Sequence, residues 1–272
     1  MSNKTFVSPE IEKNTIEELS KQLIKANAEL KKLQEEREIM FANISHDLRA
    51  PMTAIRSAVD LALSEKNPSR EELRSTIELI DRRSKTLEAL VDDMYFLYSV
   101  SNVPKSLEFE KIDAVPFLEE YFYDLQIDSR FDDFEMLLDI EQGLECEISI
   151  DIQKMIRVLD NLFTNAVRYS VRDCDGNPIK KPAIRLKAGR DNDRLIISVI
   201  DNGPGIPEKD LPYVFMRTYT VSNARTPESG KNGSGLGLSI AKTIVEKHNG
   251  TIECKSIVGE GTEFVISLPV CC

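Results

Sequence analysis

Apolar residues near the start of the chain recur on a seven-residue pattern. Ile16, Leu23 and Leu30 occupy one heptad position, and Leu19, Ala26, Leu33 and Met40 the other, with charged residues filling most places between. This predicts a coiled-coil helix whose seam needs a second helix. From Met40 the spacing changes to steps of four through Ile44, Leu48 and Met52, then continues with Ile55, Val59 and Ala62. Three steps of four unwind a supercoil locally. Pro51 falls inside the same stretch, where it removes a backbone donor. His46 is about 200° round the predicted helix from both Ile44 and Leu48, so it faces away from the seam.

Asn67-Pro68 ends that helix, and Ser69 with Glu72 makes a capping box for the next. Leu73, Ile77, Ile80, Ser84, Leu87, Val91 and Met94 alternate in fours and threes, predicting a second long helix antiparallel to the first. Such a hairpin, with one apolar stripe per arm, is best buried as a dimer of four helices.

After Pro104 the texture shifts. Residues 107–110, 136–140, 145–150, 183–188, 195–200, 251–257 and 263–268 read as strands. Residues 116–126, 153–169 and 236–248 read as helices, and 216–231 has no periodicity. Helices against one face of a mixed sheet are expected, an α+β sandwich.

Composition narrows the choices. The 272 residues include 46 acidic and 35 basic ones, a net charge of −11, which disfavours nucleic acid as a partner. No apolar run is long enough to span a membrane and the N-terminus has no signal-peptide core, so a cytoplasmic location without membrane contact is expected. The five cysteines form no C-x-x-C pair, which argues against a disulfide framework or zinc site. With only His46 and His248 present, a multi-histidine metal site is excluded. His248, before Asn249-Gly250, reads as a helix C-terminal residue favoured by the dipole.

Four clusters carry candidate chemistry. In the first, Phe41 to Pro51, His46 is followed by Asp47. A largely neutral imidazole can act as a nucleophile, with Asp47 as base and orienter. In the second, Asn161 and Asn165 project from one helix face, joined by Arg168. Amide oxygens beside a cation suit hydrated Mg²⁺ with phosphates. In the third, Asp201-Asn202-Gly203-Pro204-Gly205 follows an apolar strand; its carboxylate can accept an exocyclic amine, and its glycines permit close backbone approach. The fourth, Gly233-Ser234-Gly235-Leu236-Gly237-Leu238, opens a helix and offers free N–H groups to an anion. It is neither a dinucleotide fingerprint nor a Walker loop.

In this order the four clusters resemble the H, N and two glycine boxes of sensor histidine kinases. Val214-Phe215-Met216-Arg217-Thr218-Tyr219 resembles the phenylalanine box. The resemblance covers residues 38–269. It implies a coiled-coil signalling segment over 1–37, a dimerisation and phosphotransfer hairpin over 38–104, and an α/β-sandwich ATP-binding domain of the Bergerat type over 105–272.

The roles it implies are His46 as phospho-acceptor, Asp47 as its base, and Asn165 as Mg²⁺ ligand. Asn161, Arg168 and Tyr169 would surround the phosphates and ribose, and Asp201 would read adenine. Gly203, Gly205, Arg217, Gly233, Gly235, Leu236, Gly237 and Leu238 would complete the nucleotide site, under a lid over 216–233. The implied cofactors are ATP and Mg²⁺, and the implied partners are a second copy of the chain and a response regulator.

Relatives that also dephosphorylate their regulator commonly carry Thr or Asn four residues after the acceptor. Ala50 stands there, so weak phosphatase activity is expected. An ATPase or serine kinase on the same nucleotide fold, or a non-catalytic scaffold, are the alternatives.

Overall fold

The computed structural model describes residues 9–64, 68–102, 107–170, 181–216, 219 and 235–271. Helix α1 runs unbroken over Pro9–Ser64, through Pro51 and across the change of apolar spacing. Helix α2 spans Arg70–Asn102 and returns beside it. The turn has the predicted reciprocal cap: Ser69 N–H donates to Glu72 Oε2 (2.7 Å), and Glu72 N–H donates to Ser69 Oγ (3.1 Å). Glu72 is held below its ordinary carboxylate range by those bonds to Ser69. Ile44, Ala58 and Leu90 are buried, whereas Met52, Leu61, Leu63 and Ile77 stay exposed on the hairpin.

Strand β1 occupies Glu110–Asp113, three residues later than the predicted 107–110. Two constraints fix it there. Glu110 pairs with Ile150 in β3 (Glu147–Ile150), and the Asp113 carboxylate accepts from Val115 N–H, capping helix α3 (Ala114–Gln126). A 3₁₀ turn at Ser129–Phe131 leads into β2 (Glu135–Ile140).

Helix α4 (Ile152–Tyr169) starts at Asp151, which accepts from Lys154 N–H. Its apolar stripe of Met155, Val158, Leu159, Leu162 and Phe163 is fully buried. The hairpin β4 (Ala183–Asp191) and β5 (Arg194–Asp201) follows; then come a 3₁₀ segment at Glu208–Tyr213, helix α5 (Gly237–Lys247) and the hairpin β6 (Thr251–Ile257) with β7 (Gly261–Pro269).

The five-stranded sheet has the order β2-β4-β5-β7-β6. β2 pairs with β4 in parallel and the other neighbours are antiparallel, giving a mixed sheet. In β4, Ile184, Leu186 and Ala188 are buried while Arg185 and Lys187 are exposed; the inner residues of β7 are Phe264, Ile266 and Leu268. One face is therefore covered by α3, α4 and α5, and the core lies between. β5 sits in the middle of this sheet. Its C-terminal Asp201 lines a cavity together with residues from the last turns of α4 and the first turn of α5. No described helix is long and apolar enough to cross a membrane.

Candidate functional site

A cavity of about 450 Å³ opens between the end of α4, the loop after β5 and the β6–β7 hairpin. Asn165 and Tyr169, one turn apart on α4, form one wall. Asp201 stands at the back, and Pro204 to Pro207 with Leu238 form the sides. Thr262, Phe264, Val258, Val214 and Tyr219 close it.

Asp201 ends the central strand, and its carboxylate accepts from Gly203 N–H at 2.8 Å. Burial raises its pKa, while hydrogen bonds from the Gly203 and Thr262 backbones oppose that shift. A half-buried carboxylate with one oxygen committed to the backbone is a fixed acceptor facing an apolar pocket. That arrangement recognises an amine edge on a flat ligand.

The glycines owe their places to packing within the domain. Gly205 has φ +72°, and a Cβ there would stand 2.2 Å from Ile257 O. Gly203 would bring a Cβ to 2.8 Å from its own acceptor, Asp201 Oδ1. Around the rim, Ile206 N–H donates to Ser256 Oγ at 2.8 Å, joining the loop to β6.

Asn161 lies one turn before Asn165 and outside the cavity wall. Its Oδ1 is 2.9 Å from where a Cβ on Gly237 would be. Its Nδ2 is buried without a hydrogen-bond partner. Gly235 has φ +62°, Leu236 is fully buried and α5 begins at Gly237. Arg168 is half-buried on the last turn of α4 and, like Asn161, is not part of the cavity lining. Arg217 and Gly233 lie outside the described residues, as does most of the 216–233 segment.

In the hairpin, position 46 is helical, but its side chain lies outside what the structure describes. Asp47 is half-buried and Ala50 exposed. His248 lies at the C-cap of α5, as its place in the sequence implies, and it is also buried. It is 2% exposed, its Nε2 accepts from Asp151 N–H (2.9 Å), and its Nδ1 lies 2.8 Å from Ile244 O. The accepting Nε2 requires the proton on Nδ1, and burial lowers the pKa. His248 is thus a neutral brace between the end of α5 and the N-cap of α4.

The sequence reading missed Val258, Thr262 and Phe264. Val258 lies in the turn between β6 and β7; the strand that carries Thr262 and Phe264 could be read from its alternation, but not its position beside the end of β5. Tyr219 and Val214 belong to the phenylalanine-box stretch. Tyr219 is anchored by its hydroxyl donating to Asp210 Oδ1 (2.7 Å).

A helical hairpin joined to a sandwich with this cavity has the layout of a two-part phosphotransfer kinase core. Residues 36–102 match the family model of the His Kinase A (phospho-acceptor) domain. Residues 150–271 match that of the histidine kinase-, DNA gyrase B- and HSP90-like ATPases. The chain is 34% identical over 242 residues to the sensor protein kinase WalK of Staphylococcus aureus, covering 89% of this chain and 55% of that protein. It thus spans about half the length of that curated relative.

In fold it is similar to the histidine kinase ThkA, solved in complex with the response regulator protein TrrA. There the TM-score is 0.65 and the identity 21%, over 87% of this chain and 64% of that one. It is also similar to the Acinetobacter baumannii histidine kinase AdeS, with a TM-score of 0.59 and 22% identity, over 82% and 97%. By its two domains in this order, the chain belongs to the sensor histidine kinases.

Proposed function

We propose that the chain is the kinase core of a two-component sensor, using ATP and Mg²⁺ to phosphorylate His46 and passing the phosphoryl group to an aspartate of a response regulator. The observation that carries this reading is one pocket combining Asn165, Tyr169 and a half-buried Asp201, in a chain whose separate hairpin carries His46-Asp47. In this reading Asp201 accepts from the adenine amine, Ile206 and Phe264 pack on the ring, and Tyr169 lies toward the ribose and phosphates. Arg168, Arg217 and the glycines from 233 to 237 serve the phosphates, with Leu236 and Leu238 anchoring that turn.

The donor set fits Mg²⁺ held largely by nucleotide and water. No group of three or more acidic, His or Cys side chains able to hold a metal exists among the described residues. Asn165 supplies an amide oxygen, the kind of single protein ligand that hydrated Mg²⁺ accepts. When bound, the ion neutralises phosphate charge.

His46 attacks the γ-phosphorus through one ring nitrogen. The bond from phosphorus to the β–γ bridging oxygen breaks, a P–N bond forms and ADP leaves. Asp47 accepts the proton that the other ring nitrogen loses. Positioning supplies most of the rate, because the two reactants sit on separate domains that must meet. The exposed apolar face of the hairpin supports a homodimer, and the acidic surface supports a protein partner other than nucleic acid. Ala50, exposed one turn after His46, cannot hold a water, so phosphatase activity toward the regulator is weak.

The test is incubation with γ-labelled ATP and Mg²⁺. The parent becomes labelled. His46→Gln binds ATP with parental affinity and takes up no label; labelling of that variant at the parental level overturns the assignment. A label on serine would favour the alternative of a serine kinase on the same fold.

A further inference from the structure

The hydroxyl of Ser256 joins three neighbours beside the cavity, and the chemistry of each fixes the direction of every bond. Ser256, on β6, is outside the cavity lining. Its Oγ lies 2.7 Å from Gly261 O, 2.8 Å from Ile206 N and 3.0 Å from Thr262 Oγ1. A carbonyl can only accept, so the one Ser256 hydroxyl proton is spent on Gly261 O. The Ile206 N–H can only donate, and Ser256 accepts from it. With its own proton committed, Ser256 must also accept from Thr262. The Thr262 hydroxyl then has no proton left for a ligand.

Thr262 does line the cavity, and it pairs with Asp201 across β7 and β5. Its backbone N–H donates to the Asp201 carboxylate. Gly261 keeps the two strands close at this point, since a Cβ there would run into Asp201 O. Tyr219, also in the lining, gives its hydroxyl proton to Asp210 Oδ1. The Gly203 and Ile206 N–H groups are spent on Asp201 and Ser256. The Thr262 and Tyr219 hydroxyls therefore bring lone pairs and no donor to a cavity whose Asp201 carboxylate accepts.

Such an edge sorts purine bases by the group at C6. A 6-aminopurine meets it with N–H donors. A 6-oxopurine in the same pose turns O6 toward acceptors. Tilted so that its N1–H meets Asp201, it leaves O6 beside Thr262 in need of a donor, and a buried oxygen without one is costly. We infer that Ser256 is a positioning residue for base selection: by taking the Thr262 proton it keeps that hydroxyl an acceptor and bars 6-oxopurine nucleotides. This deepens the ATP reading of the same cavity and rests on it, and the experiment separates the two.

The full chain is titrated calorimetrically with ADP and with inosine diphosphate, which differ in the base alone. The parent should favour ADP by roughly fifty-fold, the cost of one unmatched buried oxygen. Ser256→Ala frees the Thr262 proton, so the preference should fall roughly ten-fold, mostly through tighter binding of inosine diphosphate. Ser256→Cys fills the same space with a weak hydrogen-bonding group and should shift the preference the same way. It stands in if the alanine variant does not fold. Adding Thr262→Val to either variant removes the freed donor and should restore the parental preference. A merely loosened loop would weaken both nucleotides alike, and a second substitution would not repair it.

A parental preference retained in the Ser256 variants overturns the inference, and so does a lost preference that Thr262→Val fails to restore. A parent that binds both diphosphates equally overturns it as well. If the parent binds neither, the ATP reading itself fails and the base selection with it.

Discussion

Asn161 and Gly237 are fitted to one another: the carboxamide oxygen of Asn161 lies 2.9 Å from the place a Cβ on Gly237 would occupy. The first residue of α5 is therefore pressed against the helix that carries Asn165. This contact ties the phosphate-side turn to the cavity wall. Gly237→Ala must push the Asn161 amide aside, which a flexible side-chain end permits. A thermal midpoint within a few degrees of the parent is expected, with nucleotide affinity down roughly ten-fold, about 1.4 kcal/mol. Gly205→Ala is a different case. Its Cβ meets the Ile257 carbonyl at 2.2 Å from a positive φ, so a loss of about 2–4 kcal/mol in folding stability is expected. Calorimetric titration with ADP and thermal melts of both variants check this; equal stability losses would contradict it.

Asp201→Asn should weaken adenine binding by at least roughly ten-fold, because the amide offers a donor where the ligand amine needs an acceptor. Without nucleotide the midpoint should not fall. Asn can still accept from Gly203 N–H, and burial already disfavours the charged carboxylate. Adenosine, which carries no phosphate, is the discriminating ligand. It should lose affinity for Asp201→Asn and keep it for Asn165→Ala.

Stability should depend on pH through His248. Burial lowers its folded pKa below the unfolded value of about 6.5. The unfolded chain then takes up the proton first as pH falls. The contribution is complete above pH ~6.5 and is lost progressively as pH drops toward the folded pKa. Melts between pH 7.5 and 5.5 should show a falling midpoint. His248→Gln should be less stable at pH 7.5 by about 1–3 kcal/mol, through the unpaired Asp151 N–H, and should show a flatter dependence. Parallel pH profiles for the two proteins would contradict this.

The parts of the fold that depend on neighbours in sequence could be read from the sequence. The Ser69–Glu72 cap and the buried stripe of α4 follow from local spacing, because a helix decides its own face. Asn165, Tyr169 and Asp201 share one cavity as their motifs led us to expect. What could not be read depends on distant partners. β1 starts at Glu110 because Ile150 and the Asp113 cap place it there. Thr262 and Phe264 reach the cavity only because β7 pairs with β5, a pairing that alternation does not specify. The packing that excludes side chains at Gly205 comes from Ile257, 52 positions along the chain. His248 was read by its place at a helix end, whereas its burial and its bond from Asp151 N–H, 97 residues away, come from tertiary packing.

The hairpin leaves Leu73 39% and Ile77 64% exposed in a single chain. Glu at both positions would put charges into the four-helix core of the proposed dimer, at a cost that unpaired burial makes prohibitive. Sedimentation at micromolar concentration should show a dimer for the parent and a monomer for Leu73→Glu/Ile77→Glu. A monomeric parent would contradict the dimer.

The central claim concerns the bond that ATP makes to the chain. A phosphoryl group on an imidazole nitrogen is lost in acid and survives alkali, whereas a phosphoserine ester survives acid and is lost in alkali. The decisive measurement is the label remaining on the parent after each treatment, with the labelled peptide then mapped. The account predicts an acid-labile, alkali-stable label confined to the peptide containing His46. An acid-stable label, or one located on another residue, would contradict it.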